Sequence, residues 1–285
     1  TYGYDTAGRL QTVSDSGYSA TYAYHANSSL VNTLTFKESA NVRLTTTRAY
    51  DKLNRLQSIS SAPSASSAVS FAYQYNRANQ RTWATLQDGS YWVYQYDALG
   101  QVISGSRFWS DGTPVAGQQF EYRFDDIGNR NTTGGRASAV SGYNTNRLNQ
   151  YTSRTVAPYV DVLGIANPTA GVTVNGNTAN RKGEYFHFPL NVQNGSAQYP
   201  GVDVVSQYGA TQTESGKVFV PATPESSTAD ADGNQTDDGR WHYTWDAENR
   251  LVEMTGSAGV PPASRQKLTF AYDYQSRRVA KTVVA

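Results

Sequence analysis

The chain has 285 residues, a net charge of +1 from 24 basic and 23 acidic side chains, and no cysteine. Disulfides and cysteine-held metals are therefore excluded, and without a basic stripe nucleic-acid binding has no electrostatic footprint. Tyrosine (21), phenylalanine (9) and tryptophan (5) recur in strand phase, which argues against disorder, and no apolar run approaches the ~20 residues of a membrane helix.

The first element sets the pattern. Tyr2-Gly3-Tyr4-Asp5-Thr6-Ala7-Gly8-Arg9-Leu10 reads aromatic, any residue, aromatic, Asp, two free positions, Gly, Arg, Leu. Residues two apart share one face of a strand, so Tyr2 and Tyr4 point together. Asp5 accepts backbone N–H groups just ahead of it and starts a turn. Gly8 supplies the positive φ that closes a bulged hairpin loop, and Arg9-Leu10 opens the returning strand.

Looser copies centre on Tyr24, Tyr50 and Tyr75. In the copy at Tyr50-Asp51 the glycine position is Asn54, followed by Arg55. Asn is the next residue most tolerant of a left-handed backbone, whereas Ser28 fits that position less well. Clear copies follow at Tyr96-Asp97 with Gly100 and at Phe124-Asp125 with Gly128. Their irregular spacing predicts hairpins with one constant turn, Asp-x-x-Gly, and one variable turn. The variable turns are Asp15-Ser16-Gly17, Ser61 to Ser67, Asp88-Gly89 and Asp111-Gly112-Thr113-Pro114. No helix is predicted.

The pattern breaks after Tyr143 to Tyr151. Residues 156–223 hold short β-rich runs at Tyr159–Leu163, Gly171–Val174, Glu184–Val192, Val202–Ser206 and Lys217–Val220. Turn signals such as Asn175-Gly176 and Asn194-Gly195 separate them, which predicts a small inserted sandwich. The strand before it has left its Asp-x-x-Gly turn, so the insertion is expected to emerge from the variable rim. Repeats then resume at Trp245-Asp246 with Asn249 and Arg250, and at Tyr272-Asp273 with Ser276. The organisation read from the sequence is a hairpin array over 1–155, an insertion over 156–223 and a continued array over 224–285.

These copies resemble the YD-repeat, or RHS-repeat, proteins of bacteria, which are related to the C components of toxin complexes and to teneurins. The run Val172 to Gly176 with Gly183-Glu184-Tyr185-Phe186 resembles small immunoglobulin-like modules inserted in bacterial surface proteins. The resemblance implies an all-β fold, a curved antiparallel sheet of hairpins forming part of a hollow shell. It further implies a secreted or cell-surface bacterial protein and a non-catalytic structural role enclosing or presenting a C-terminal, toxin-like cargo. The implied partners are the remainder of a longer chain, of which this is expected to be a fragment, and that cargo. Terminal strands at Thr1–Leu10 and Leu268–Val284 add an expectation of edge-to-edge self-association. The alternative reading is adhesion, with the insertion or an aromatic stripe binding carbohydrate or protein.

Candidate chemistry is sparse. His25, His187 and His242 read as isolated, with His25 a turn residue and His187 expected to face solvent. Asp230-Ala231-Asp232-Gly233-Asn234 with Asp237 and Asp238 invites a calcium reading, but Gly233 falls at the wrong loop position and two successive hairpin turns explain it better. No serine elbow or phosphate loop occurs, and no Asp-Pro, the motif that the family's self-cleaving members use. No enzyme, cofactor or metal is therefore predicted.

Overall fold

The computed structural model describes residues 1–135 and 140–284. It is antiparallel β throughout, and among the described residues the one helical element is a short 3-10 turn at Pro262–Ser264. The chain divides into two compact units, Thr1–Gln118 and Gln119–Ala285.

The first unit holds β1 (Tyr2–Tyr4), β2 (Leu10–Asp15), β3 (Tyr18–Tyr24), β4 (Val31–Glu38), β5 (Asn41–Tyr50), β6 (Leu56–Pro63), β7 (Val69–Tyr75), β8 (Arg81–Thr85), β9 (Tyr91–Tyr96) and β10 (Val102–Phe108). Each pairs with the next in an up-and-down meander. The division falls within β11 (Pro114–Phe124). Most strand residues here are half-exposed, and the buried ones are Thr46, Ala84, Gly105 and Val115, with Ser90 buried in the loop before β9. A sheet with so few buried side chains depends on its ladder bonds, its cross-strand contacts and its turns.

The second unit continues with β12 (Arg130–Gly134), β13 (Ser141–Thr145) and β14 (Tyr151–Arg154). Seven strands of the insertion follow: β15 (Tyr159–Ile165), β16 (Gly171–Val174), β17 (Asn177–Thr178), β18 (Asn180–Lys182), β19 (Tyr185–Asn191), β20 (Gly201–Tyr208) and β21 (Ala210–Lys217). The array returns as β22 (Glu225–Ser226), β23 (Thr228–Ala229), β24 (Gln235–Asp237), β25 (Trp241–Trp245), β26 (Leu251–Gly256), β27 (Lys267–Tyr272) and β28 (Arg278–Val284).

The insertion strands pair only among themselves, as a three-stranded sheet β15-β19-β18 and a four-stranded sheet β17-β16-β20-β21. Val172, Val174, Ala179 and Phe186 are buried between them, with Val162 and Val204 packed alongside. Gly164 is required there, because a Cβ would stand 2.8 Å from the Phe186 ring. The run Thr211 to Ser215, wholly exposed, was not read as a strand because its side chains carry no apolar alternation. Val218 to Val220 is outside β21 and contributes one isolated bridge, Gln198 to Val220.

The insertion interrupts the chain but not the first sheet, which ends at β22, and β23 to β28 form a separate six-stranded sheet. β14 pairs directly with β22, Ser153 opposite Ser226 and Arg154 opposite Glu225. Ion-paired Arg154 and Glu225 mark the point where the chain leaves and re-enters. Above them the Val156 N–H donates to Thr223 Oγ1 at 3.1 Å. Buried Asn194 donates its amide to the carbonyls of Val156 and Pro221 at 3.2 and 3.1 Å. The neck thus lies at the end of β14 opposite its Asn146–Gln150 turn.

The turn residues set the hairpins. Gly8, Gly100 and Gly128 have φ of 76°, 84° and 94°, and Asn54 and Asn249 adopt 62° and 57°. Replacing Gly100 with Val forces a β-branched side chain into this region and brings its Cβ within 3.1 Å of Gln80 Nε2. Gly100→Val is expected to destabilise by about 1 kcal/mol or more in chemical denaturation, while Asn54→Gly stays near neutral. Equal stability of Gly100→Val and the parent chain would show that this backbone conformation is not needed.

Candidate functional site

The repeated residues form one device, copied along the sheet. In the first copy the Asp5 N–H donates to the Arg9 carbonyl and the Gly8 N–H to the Asp5 carbonyl, at 2.9 and 3.0 Å. This is a tight turn followed by a left-handed residue and a bulge, seen as a register shift at Gly3/Tyr4. Asp5 Oδ1 accepts the N–H groups of Ala7 and Arg9 at 3.0 and 2.9 Å, and Oδ2 accepts Arg9 Nε at 2.7 Å. One carboxylate therefore satisfies the loop donors and holds the side chain that follows.

The same loop recurs at Asp51–Arg55, Asp97–Gln101, Asp125–Asn129, Asp246–Arg250 and Asp273–Arg277. Ser276 takes the left-handed position with φ 58°. Loops at Asn76–Gln80 and Asn146–Gln150 share the geometry. There the chemistry is exchanged: the Asn side-chain amide donates to the Gln Oε1, at 2.7 Å in both. An acid opener takes a donor four residues on, and an amide opener takes an acceptor. That exchange is visible in the sequence as Asp…Arg against Asn…Gln; the Asn76 loop is the looser copy at Tyr75, and the exchange is the signal that finds the loop at Asn146.

Two expectations are corrected. Leu86–Ser90 and Trp109–Thr113, read as variable turns, close with the same backbone bonds as the constant ones, with Gly89 and Gly112 left-handed. An Asp at the third position now accepts the N–H of the fifth, as in Asp88 with Ser90 and Asp111 with Thr113. In the copy after Tyr24 the left-handed residue is Asn27, not Ser28, because the loop is one residue longer and the His25 N–H closes on Leu30.

Each loop is tied to its neighbour. The second aromatic of a repeat donates to the carbonyl that follows the preceding loop. Tyr24 Oη bonds Leu10 O at 2.6 Å, Tyr75 Oη bonds Leu56 O at 2.7 Å and Tyr272 Oη bonds Leu251 O at 2.8 Å. Tyr50, Tyr96 and Trp245 do the same to Val31, Arg81 and Gln235. The arginine held by the Asp lies over that aromatic ring, 4.4 Å for Arg9 on Tyr24, 4.9 Å for Arg55 on Tyr75 and 5.4 Å for Arg250 on Tyr272. Its free nitrogen reaches the next loop, Arg9 bonding the Ser28 carbonyl and Arg55 the Asn76 carbonyl. Tyr4 opens the array on β1 and is 63 % exposed, and Phe124 has no hydroxyl to give. Thr145 stands at the aromatic position of its hairpin, and there Tyr151 Oη instead accepts the Arg130 N–H at 2.8 Å.

Beside the Asp88 loop, Arg107 bonds Asp88 Oδ2, the buried Ser90 hydroxyl and Gln118 Oε1 at 2.9, 2.8 and 3.1 Å. Burial raises the Asp88 carboxyl, but the Ser90 hydroxyl and N–H and the Arg107 guanidinium outweigh it and hold it low.

Two of the histidines differ from expectation. His187 is buried, and its Nε2 lies 2.6 Å from Asp161 Oδ1 because β15 and β19 pair. His242 Nδ1 lies 2.5 Å from Asp237 Oδ2. Both carboxylates are brought in by strand pairing, which sequence spacing did not reveal. His25 opens its loop and packs edge-on against Tyr50 at 5.5 Å. Asp230–Asn234 forms the repeated loop with Gly233 left-handed, and Asp238 caps the next turn by accepting the N–H groups of Arg240 and Trp241. Among the described residues no three His, Asp or Glu side chains group as metal ligands, and no helix is long and apolar enough to cross a membrane.

No family model matches the chain. Over 59 residues it is 41% identical to the tRNA nuclease WapA of Bacillus subtilis (strain 168) and to the tRNA(Glu)-specific nuclease WapA of Bacillus subtilis subsp. natto. That segment is 21% of this chain and 2% of each relative, so the chain spans a small part of those proteins. Among solved structures, TcdB2-TccC3-Cdc42 aligns with a TM-score of 0.45 at 14% identity, covering 96% of this chain and 14% of that one. The Photorhabdus luminescens Tc holotoxin pore aligns at 0.41 and 16%, covering 93% and 13%.

The backbone N–H of the arginine is the foremost cause holding the carboxyls of Asp5, Asp246 and Asp273 below their ordinary value of 3.8. A lowered folded-state value gives stabilisation that is complete above the ordinary value and lost as pH falls through the lowered one. Thermal stability is expected to drop as pH falls below about 4. The double substitution Asp51→Asn with Arg55→Gln, which copies the Asn76–Gln80 loop, is expected to fold normally and to shed part of that acid sensitivity. Tyr75→Phe is expected to cost about 1 kcal/mol in denaturant titration by removing the bond to Leu56.

Proposed function

We propose that the chain is a non-catalytic segment of an RHS-type shell that encloses or presents a toxin-like cargo encoded elsewhere in a longer secreted polypeptide. The carrying observation is that the repeated Asp closes its own loop and holds the Arg, while the Arg and aromatic side chains are spent on bonds between neighbouring hairpins. A side chain bonded on both sides to its own sheet is a building element. The 59 residues matched in the WapA nucleases are 2% of those proteins, a share compatible with a scaffold segment of a long polypeptide. The proposal assigns this chain the scaffold part of such a polypeptide and not the nuclease part. The two packed antiparallel sheets of residues 159–217 support an immunoglobulin-like module carried by the array.

The test is limited proteolysis of the whole polypeptide that carries this chain. The segment following the array is expected to be protected in the parent protein. It is expected to become cleavable when Arg55→Ala and Arg250→Ala cut the ties between hairpins. Equal cleavage of that segment in parent and variant would refute enclosure, and hydrolytic activity in the isolated 285-residue chain would refute the non-catalytic assignment.

A further inference from the structure

The two sheets of the insertion differ in width by one strand, and the mismatch falls on one side. β15 is the last strand of its sheet and pairs only with β19, while the facing sheet continues to β21. β21 is exposed at every residue. A groove therefore runs beside β15, floored by Val202 and Val204 of β20 and by Gln212 and Glu214 of β21. The register places these on one face, with Val204 opposite Glu214 and Ser206 opposite Gln212.

The open edge of β15 is ready to pair. The Ala166 N–H donates to the Glu184 carbonyl and the Val192 N–H to the Pro158 carbonyl, so the even-numbered residues bond β19. By the alternation of an antiparallel ladder, the backbone groups of Asp161, Leu163 and Ile165 point away from β19. Free edges are ordinarily blunted by proline, lysine or a bulge. β15 has none of these: its pairing with β19 is unbroken, and Leu163 and Ile165 are 43% and 78% exposed. Its charged side chain, Asp161, is already engaged by His187.

We propose that this groove accepts an extended segment of a partner protein, which adds to β15 as a fourth strand and completes the narrower sheet. The charge in the groove selects the partner. Glu214 is the charged residue in the inward phase of β21, flanked by apolar Val202 and Val204, while Lys217 at the groove's end is in the opposite phase with its ammonium 5.6 Å over the Tyr199 ring. The segment matches the seven residues of β15, carries apolar side chains at alternate positions facing the two valines, and places a Lys or Arg over Glu214.

The test uses the full chain and a fluorescein-labelled peptide, Val-Thr-Val-Thr-Lys-Thr-Val-Thr-Val, followed by anisotropy. Saturable binding is expected, and the same peptide with Glu in place of Lys is expected to bind at least about tenfold more weakly. Glu214→Lys is expected to invert that preference. Leu163→Pro removes an N–H that β19 does not use, so it is expected to abolish binding of both peptides with an unchanged circular dichroism spectrum. Absence of saturable binding, an unchanged preference in Glu214→Lys, or retained binding in folded Leu163→Pro overturns the proposal. Concentration-dependent self-association that the peptide does not displace also overturns it, since the occupant is then a second copy. Should Leu163→Pro not fold, the Glu214→Lys inversion decides alone.

Discussion

The structure depends on a carboxylate that does two jobs in a loop of five residues. Asp5 Oδ1 gathers two backbone N–H groups that the tight turn leaves without partners, while Oδ2 fixes Arg9. A half-buried N–H without a partner is costly, so an acceptor within the loop favours its closure, and Asp88 and Asp111 supply one from the third position where no Asp or Asn opens the loop. Once closed, it aims the arginine sideways at the next hairpin. Asp51, Asp246 and Asp273 repeat the arrangement with their own arginines. Local turn chemistry and the spacing of hairpins are thus set by the same atoms.

This explains how so thin a sheet holds together. In the first unit few side chains are buried, and no apolar layer of any depth backs the strands. Aromatic residues do the lateral work in its place. Trp83 stacks on Tyr91 at 4.0 Å and Tyr91 on Phe108 at 5.5 Å, while Arg81 lies 4.1 Å over Tyr73. Tyrosine suits this position because its ring packs in the sheet face and its hydroxyl reaches a carbonyl at the loop. The insertion is built differently, around a small apolar core of Val172, Val174 and Phe186.

Much of this was legible in the sequence, for a physical reason. Hairpin loops are local, so Asp5, Gly8 and Arg9 announce their turn within nine residues, and the all-β antiparallel class follows. The ties between hairpins join residues about twenty apart, such as Tyr75 and Leu56, and a regular phrase does not say which carbonyl a hydroxyl will meet. The loop at Asn146 escapes a pattern keyed on the acid, because what the turn requires is an acceptor oxygen, which Asn146 Oδ1 supplies. His187 was placed in solvent because Asp161 lies 26 residues away and only strand pairing joins them. β21 was missed because a strand exposed on both faces leaves no periodicity to read.

The neck of the insertion has a consequence for assembly of the chain. Arg154 and Glu225 are 71 residues apart, yet they face each other across adjacent strands. Joining them through a flexible loop of that length costs on the order of 2 kcal/mol more entropy than joining them through a tight turn. An insertion that folds first on its own core presents its two ends side by side at Val156 and Thr223. To the rest of the polypeptide it then has the contour of a short connector. Modules of other sizes become interchangeable at this port, provided that their termini emerge one strand spacing apart.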